Sequence, residues 1–263
     1  MKIGFYGSSL CKDFENIQAH RLEYQTYIQK LQKHYDANIC HIGVGGCGVW
    51  DVILIQFKQL LENPPDVAVF VWPLNGVLFH REYRSIHKLS TVPGSRLCVA
   101  DQPVWRATVE YYDKLFDWEK DVAEFKAALL YFDTMLLPQI KDKMKIIHLW
   151  EFGILTNFDD ITSDTLDIRT SDFLKKFETP FNWSSGMQID GPMIGISIAG
   201  QWPRRPTFTK VFKNDPRSNH IEGEIKNTLM FNFLSNAIDN YQNGVTIDKL
   251  DEIISFYDSY KME

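Results

Sequence analysis

The run VAVFVW at residues 67–72 constrains the fold more than any other part of this sequence. Every position in it is apolar, and turn-forming residues bound it, with Asn63-Pro64-Pro65 before it and Pro73 after it. A strand that is apolar at every position is covered by protein on both faces, which is typical of a central strand in a parallel sheet. We therefore predict a buried parallel strand at residues 67–72.

Predicted strands and helices alternate along the rest of the chain. Further strands are predicted at residues 2–6, 38–42 and 145–152, with a less regular one at 193–199. Apolar residues at helical spacing predict helices at residues 16–35, 49–61, 104–141 with a break near Asp117, 221–241 and 247–260. Strands that alternate with helices indicate an α/β protein, so we expect a three-layer α/β/α sandwich around a central parallel sheet.

The length of the chain and its loops indicate one domain. The chain has 263 residues and shows neither an internal repeat nor a linker-like segment. Residues 76–103 and 153–219 are irregular, and binding residues concentrate on loops above a rigid scaffold. We predict a single domain over residues 1–263, with large loop insertions that form a lid around 76–103 and 153–219.

Charge, hydropathy and cysteine spacing exclude several classes of protein. The net charge of −6 and the pI of about 5.7 give no basic footprint, so no nucleic-acid partner is expected. No apolar run approaches the roughly 20 residues of a membrane span, and the first strand starts too close to Met1 for a signal peptide. We therefore expect a cytoplasmic protein without membrane contact. The cysteines fit no zinc pattern, and neither a metal nor another cofactor is expected.

Small polar residues and glycines follow the predicted strands, at the end where open α/β sheets bind ligands. The segments are Gly7-Ser8-Ser9-Leu10, HIGVGGCG (41–48), Pro73-Leu74-Asn75-Gly76, and NDPRSNHIEG (214–223), which precedes the penultimate helix. Together they supply a hydroxyl, backbone amides, a side-chain amide and an imidazole. Acyl transfer needs such a set, because a serine requires a base and the negative oxygen of the tetrahedral intermediate requires donors.

The order and spacing of these four segments resemble those of the SGNH (GDSL-type) hydrolase family. The resemblance implies a flavodoxin-like α/β/α fold and the hydrolysis of a carboxylic ester by a serine. It places Ser9 at the position of the nucleophile and His220 at that of the general base. The oxyanion hole would consist of the backbone N–H groups of Ser9 and Gly46 and the side-chain amide of Asn75.

Two positions depart from the family pattern. Ser8 stands where the first family block has Asp, and Arg217 stands where the third member of a catalytic triad is expected. A guanidinium cannot accept a proton from an imidazole. Asp215 is the nearest carboxylate in the sequence, so a Ser9–His220–Asp215 triad and a Ser9–His220 dyad are both consistent with it.

The substrate predicted from the resemblance is a small-molecule or glycan ester with a short acyl group, such as O-acetyl on a carbohydrate. Aromatic residues make up 14% of the chain, which indicates first a Trp-rich core and second flat surfaces for stacking on sugars. We expect Trp72 and Trp202 to contact the substrate, together with His41 at the end of the second strand. No feature of the sequence sets the oligomeric state.

Two other functions are compatible with the sequence. GVGGCG (43–48) fits G-x-G-x-x-G, follows a strand and opens a helix, as a dinucleotide-binding fingerprint does. Such a site also needs an acidic residue at the far end of the next strand, and Asp66 stands at the wrong end. The departures at Ser8 and Arg217 are in turn compatible with a catalytically inactive SGNH-fold binding module.

Overall fold

The computed structural model describes residues 1–11, 24–73, 77–80, 82, 84–87, 102–151, 154–155, 171–199, 221 and 223–260. The strands in these ranges are β1 (Lys2–Gly7), β2 (Asn38–His41), β3 (Val67–Trp72), β4 (Val77–His80), β5 (Arg84–His87), β6 (Lys145–Trp150), β7 (Ile154–Leu155), β8 (Phe177–Glu178), β9 (Met187–Pro192) and β10 (Thr246–Asp248). Two further pairs of strands, β4–β5 and β7–β8, form separate two-stranded antiparallel sheets.

Several of the helices contain a π-helical turn. The helices are α1 (Tyr27–Tyr35), α2 (Val49–Asp51, the π turn Val52–Gln56, then Phe57–Glu62), α3 (Gln102–Glu110 and the π turn Tyr111–Leu115), α4 (Trp118–Tyr131, the π turn Phe132–Leu136 and the 3₁₀ turn Leu137–Gln139), α5 (Ile194–Ile198), α6 (Glu224–Asp239) and α7 (Leu250–Ser259). Short 3₁₀ helices lie at Ser9–Cys11 and Ser171–Lys176. No helix in the described ranges is long and apolar enough to cross a lipid bilayer.

Six strands form one parallel sheet in the order β2-β1-β3-β6-β9-β10. The strand β3 lies between β1 and β6, as its continuous apolar sequence predicts. The chain runs outward from β1 to β2 and then crosses to the other side of β1 to form β3. This order is flavodoxin-like, and it opens a ligand crevice between the carboxyl ends of β1 and β3.

Helices cover both faces of the sheet. On β3, Val69 points into a core formed with α1, α6 and α7, and Phe70 points into a second core formed with α2 and α4. Both side chains are fully buried. The fold is therefore the predicted three-layer α/β/α sandwich.

Most predicted elements are confirmed within a few residues, one predicted strand is wrong, and two helices begin later than predicted. The break near Asp117 is confirmed, because that residue caps the start of α4 by accepting the Lys120 N–H at 2.7 Å. The strand predicted at 193–199 lies instead at Met187–Pro192, and α5 follows it. The helix predicted at 247–260 begins only at Leu250, because Thr246–Asp248 pairs with β9 as an edge strand.

The regions predicted as irregular loops contain regular structure. The β4–β5 pair lies within 76–103, and the β7–β8 pair, β9 and α5 lie within 153–219. Of the helix predicted at 16–35, residues 16–23 lie outside the described ranges, and α1 begins only at Tyr27, with Thr26 as its N-cap.

Candidate active site at the carboxyl edge of the sheet

Gly7 ends β1 at the crevice between β1 and β3. Its φ of +142° is a conformation that L side chains rarely adopt, and a Cβ at this position would overlap the carbonyl oxygen of Val71 on β3. A glycine is therefore required where the two central strands lie closest. This close approach places the residues that follow Gly7 directly at the carboxyl edge of the sheet.

The 3₁₀ helix Ser9–Cys11 begins immediately after this strand. The Ser8 hydroxyl oxygen accepts the Leu10 N–H at 3.3 Å, and the Ser8 carbonyl accepts the Cys11 N–H at 3.1 Å. Both bonds satisfy N–H groups that a helix start leaves unpaired. The Ser9 backbone therefore opens this short helix at the edge of the sheet. The role of Ser9 as nucleophile stays a prediction, because its side chain lies outside the described structure.

The glycine-rich loop after β2 is hydrogen-bonded to the turn after β1. The Val44 N–H donates to the Gly7 carbonyl at 2.9 Å, and the Gly43 N–H donates to the Cys11 carbonyl at 3.1 Å. A Cβ on Gly43 would lie 2.6 Å from the Ser8 carbonyl oxygen, so a larger residue would separate the two segments. The first two predicted segments are therefore in direct contact.

Gly46 occupies the tight turn of this loop. Cys47 donates its N–H to the Val44 carbonyl at 3.3 Å, and Gly46 has a φ of +73°. A positive φ at the third residue of a four-residue turn is typical of a type II turn, which favours glycine there. The backbone conformation of the turn alone therefore explains the glycine at position 46, whether or not its N–H takes part in catalysis.

The side chain of Gln56 binds the backbone of Gly7 from the second core. The Gly7 N–H donates to Gln56 Oε1 at 2.8 Å, and Gln56 Nε2 donates to the Gly7 carbonyl at 3.2 Å. The same nitrogen donates to Asp51 Oδ1 at 2.9 Å. Gln56 and Asp51 are both fully buried, so this pair holds the end of β1 from the interior.

Glu151 directly follows β6, and it is buried at the same edge of the sheet. Its N–H donates to the Trp72 carbonyl at 2.9 Å, and its carbonyl accepts the Ile194 N–H at 2.8 Å. The Cys11 thiol is close enough to the Glu151 carboxylate to interact with it electrostatically. Burial raises the pKa of Glu151 to about 7, and its interaction with the Ser8 side chain opposes this rise.

The sequence analysis missed both Glu151 and Gln56, although each had a recognisable signal. Glu151 is an acidic residue placed directly after an apolar strand, at the ligand-binding end of a parallel sheet. Gln56 is a polar residue on the apolar stripe of α2, three positions after Ile53 and four before Leu60. A polar residue at such a position needs a buried hydrogen-bonding partner, which here is the Gly7 backbone.

The structure corrects the prediction for Trp72. This side chain is 0% exposed and stacks on Trp183, with ring centroids 4.7 Å apart, and on Phe70, with centroids 5.5 Å apart. Its indole N–H donates to His148 Nδ1 at 3.1 Å. Because protein side chains cover the ring, Trp72 is a core residue and offers no surface to a sugar.

His41 lies at the end of the edge strand β2 and is half-buried. Its ring stacks on Tyr6 with centroids 4.7 Å apart and an interplanar angle of 12°. A substrate contact by His41 stays a prediction. The other predicted site residues, Asn75, Asp215, His220 and Trp202, lie outside the described residues.

The surroundings of the glycine-rich loop do not favour a dinucleotide site. The loop follows β2, an edge strand with β1 as its neighbour in the sheet, whereas the fingerprint loop normally follows a central strand.

In the part of the chain that the structure describes, no group of three or more His, Cys, Asp or Glu side chains is arranged to hold a metal ion.

No protein-family model and no curated protein matches the sequence. Solved structures that are similar include "an acetyl xylan esterase AlAXEase", at 12% identity over 97% of this chain and 80% of that chain, with a TM-score of 0.33. A putative GDSL-like lipase from Parabacteroides merdae shares 14% identity over 90% of this chain and 95% of its own, with a TM-score of 0.34. Axe2, an acetylxylan esterase from Geobacillus stearothermophilus, shares 18% identity over 61% and 64%, with a TM-score of 0.31. At such low identity and TM-scores, the likeness carries no information on activity or substrate.

Proposed function

We propose that this protein is a serine hydrolase of the SGNH type that cleaves carboxylic esters, with Ser9 as the nucleophile. One observation carries the proposal: the Ser9 backbone opens a short helix at the carboxyl end of the central strand β1, hydrogen-bonded against the glycine-rich loop. A nucleophile in this position lies at the crevice where flavodoxin-like sheets bind their ligands. The buried Gln56 side chain, itself hydrogen-bonded to Asp51 on the same helix α2, binds the backbone at the end of this strand.

In the proposed reaction, Ser9 Oγ attacks the acyl carbon of the ester while His220 accepts the hydroxyl proton. The oxyanion that forms receives hydrogen bonds from the Ser9 and Gly46 N–H groups and from the Asn75 side-chain amide. His220 then gives the proton to the leaving alcohol, and an acyl-enzyme remains. Water, deprotonated by His220, attacks this acyl-enzyme, which releases the carboxylic acid and restores Ser9.

The third catalytic residue is proposed as Asp215, five positions before His220 in the sequence. Its carboxylate would accept the second ring N–H of the imidazole and hold the base in the correct tautomer. A Ser9–His220 dyad is the alternative. The two differ in the effect of Asp215→Asn, which slows a triad by orders of magnitude and leaves a dyad unchanged.

The proposed substrate is a short-chain ester, such as O-acetyl on a carbohydrate. A cavity of about 320 Å³ adjoins the glycine-rich loop, between the start of α2, β4 and α4, and the aromatic residues Trp50, Phe79 and Tyr111 line it. The carboxylates of Asp121 and Glu124 also line it. Aromatic faces combined with carboxylate acceptors suit a hydroxylated sugar. His41 and Trp202 stay proposed as substrate contacts, and the proposed setting is the cytoplasm, without membrane or nucleic-acid partners.

The proposal is tested by labelling with a fluorophosphonate, followed by peptide mapping, and by turnover of p-nitrophenyl acetate. Label on Ser9, and a loss of about 10⁴-fold or more in turnover for Ser9→Ala and for His220→Ala, are the expected results. Ser255→Ala, at an exposed position on α7, is the matched control and should retain full activity.

Turnover by Ser9→Ala at the parent rate would contradict the mechanism. Absence of label together with tight binding of NAD would favour the dinucleotide site. Binding of an acetylated oligosaccharide without label or turnover would indicate a binding module that has lost its chemistry.

A further inference from the structure

Tyr27, at the start of α1, forms buried hydrogen bonds through its hydroxyl and through its backbone. The hydroxyl donates to the Leu10 carbonyl at 2.6 Å, and the backbone N–H donates to Asn227 Oδ1 at 2.8 Å. Leu10 directly follows Ser9 in the sequence, and Asn227 lies in the first turn of α6. Tyr27 therefore joins the 3₁₀ helix Ser9–Cys11 to α6 through the protein interior.

The side chain of Asn227 continues this connection to the segment before α6. It is fully buried, and its Nδ2 donates to the Ile221 carbonyl at 3.1 Å and to the Gly223 carbonyl at 2.9 Å. The orientation of the amide is fixed, because its oxygen must face the Tyr27 N–H and its nitrogen must face the two carbonyls. Ile221 directly follows His220 in the sequence. A path of hydrogen bonds, which we call the Tyr27–Asn227 bridge, thus connects the residue after the proposed nucleophile with the residue after the proposed base.

We infer that Tyr27 and Asn227 are positioning residues, which hold the segment that carries His220 in place relative to the helix that carries Ser9. Consecutive Cα atoms are about 3.8 Å apart, so fixing Ile221 limits where the residue before it can lie. Proton transfer between a serine and its base needs hydrogen-bond distance, and a misplacement of about 1 Å can slow a reaction by about 10²-fold. The inference rests on the proposed function for its catalytic consequence, whereas the hydrogen bonds themselves do not. The proposed reaction uses neither side chain.

A second tyrosine joins the same two helices away from the candidate site, and it supplies a matched control. Tyr35, at the end of α1, donates its hydroxyl to the Ser235 carbonyl at 3.1 Å and lies 2.8 Å from Asp239 Oδ1, both on α6. Tyr35→Phe therefore removes a hydroxyl between α1 and α6 and leaves the Tyr27–Asn227 bridge intact. An effect that comes only from loosening α1 from α6 should appear in Tyr35→Phe as well as in Tyr27→Phe.

The first test measures kcat and KM for p-nitrophenyl acetate in Tyr27→Phe, Asn227→Asp and the double variant. Values are taken per Ser9 labelled by a fluorophosphonate, so that unfolded protein does not count. Tyr27→Phe keeps the ring, and Asn227→Asp keeps the acceptor for the Tyr27 N–H but turns an oxygen towards two backbone carbonyls.

In this test we expect kcat to fall about tenfold in Tyr27→Phe and about 10- to 100-fold in Asn227→Asp, while KM changes by less than about twofold. The double variant should be no slower than the slower single variant, because both changes break the same path. Tyr35→Phe should keep the wild-type kcat. If Asn227→Asp does not fold, Tyr27→Phe and its control decide the outcome.

The second test, hydrogen exchange, does not depend on catalysis. At one end of the bridge the Cys11 N–H donates to the Ser8 carbonyl at 3.1 Å, and at the other end the Asn227 N–H donates to the Gly223 carbonyl at 3.2 Å. We expect Tyr27→Phe to speed exchange of the Asn227 amide, and Asn227→Asp to speed exchange of the Cys11 amide, each by about tenfold. Tyr35→Phe should change neither amide.

A wild-type kcat per labelled site in Tyr27→Phe would overturn the inference, as would an equal loss of kcat in Tyr35→Phe. Exchange that changes only at the end of the bridge that carries the substitution would also overturn it. If the wild type takes no label at Ser9 while faster exchange is transmitted across the bridge, the proposed function fails and the connection between the two segments stands.

Discussion

The side chain of Gln56 pairs with both backbone polar groups of Gly7, accepting its N–H at 2.8 Å and donating to its carbonyl at 3.2 Å. The Gly7 carbonyl therefore accepts two hydrogen bonds, one from this amide and one from the Val44 N–H at 2.9 Å, whereas its N–H donates to the Gln56 side chain. Asp51 accepts the second N–H of the same amide at 2.9 Å and fixes its orientation. The strand end that carries Ser8 and Ser9 is therefore held by buried hydrogen bonds from α2.

Replacing Gln56 by leucine is predicted to destabilise the protein. The change leaves the Gly7 N–H and the Asp51 carboxylate without this partner in a buried site, and each such group costs about 1–3 kcal/mol. We expect the free energy of unfolding in urea to fall by about 2–4 kcal/mol. Gln59→Leu, on the exposed face of the same helix, should change it by less than about 0.5 kcal/mol. Equal stability of the two variants would show that the amide contributes nothing.

Replacing Gly7 by alanine is predicted to be more damaging than the same change at Gly244. Both glycines have a positive φ, +142° and +76° respectively. At Gly7 the new Cβ would also overlap the Val71 carbonyl oxygen, whereas nothing lies within 4 Å of a Cβ at Gly244. We expect a loss of about 1 kcal/mol for Gly244→Ala from backbone strain, and of more than about 3 kcal/mol for Gly7→Ala. Comparable Tm values for the two variants would contradict the close approach of β1 and β3.

The sequence predicts those elements whose local pattern and tertiary setting agree. The strand at Val67–Trp72 is predicted with both bounds correct, because every side chain in it is apolar and the sheet buries every one. The strand β9 is missed because its second half reads Asp190-Gly191-Pro192, which is typical of a turn. Its pairing with β6 supplies the missing stabilisation, and this pairing is not visible in the local sequence.

The same contrast applies to the candidate site. The contact between the turn after β1 and the glycine-rich loop follows from the topology, since parallel strands end at one edge. Burial of Glu151 does not follow from its neighbours in sequence, because α5, some 40 positions later, covers it through the Ile194 backbone. The substrate contact predicted for Trp72 is wrong although the burial predicted for its strand is correct, because Trp183 covers the ring from a distant segment.

Trp50 is predicted to bind the carbohydrate portion of the substrate. It lines the cavity beside the glycine-rich loop together with Phe79 and Tyr111. For Trp50→Ala we expect KM for an acetylated oligosaccharide to rise about tenfold, since stacking of this kind contributes on the order of 1 kcal/mol or more. Turnover of p-nitrophenyl acetate, which lacks a sugar, should stay unchanged. A parallel loss with both substrates would point to a structural role for the indole instead.

His148 is predicted to make the fold less stable in acid. Its Nδ1 accepts the Trp72 indole N–H at 3.1 Å, so its proton lies on Nε2, which faces the Ser185 carbonyl at 3.3 Å. Burial lowers the pKa of His148 to about 3, whereas the unfolded chain titrates near the ordinary value of 6.5. The unfolded state therefore binds more protons between these values, and stability falls as the pH falls through this window, by up to about 1.4 kcal/mol per pH unit.

The variant His148→Gln removes this titration while it keeps one acceptor and one donor in the site. The difference in unfolding free energy between wild type and variant should shrink as the pH is lowered from about 6.5 towards 4. Urea unfolding of both proteins across this range measures it. If the difference in unfolding free energy does not change with pH, the His148 imidazole has the same pKa in the folded and unfolded states.

Glu151 is predicted to have the opposite pH dependence. Burial raises its pKa from 4.5 to about 7, so the folded protein binds more protons than the unfolded chain between these values. Its contribution to stability is fully present below about pH 4.5 and is lost as the pH rises through 7, at up to about 1.4 kcal/mol per pH unit. The stability of the wild type relative to Glu151→Gln should therefore decline from pH 5 to about pH 8 in urea unfolding, while the difference from Glu62→Gln, an exposed position at the end of α2, stays constant. A difference that grows with pH would mean that the fold stabilises the carboxylate. The decline expected here instead means that the fold opposes the charged form, because burial removes the carboxylate from water.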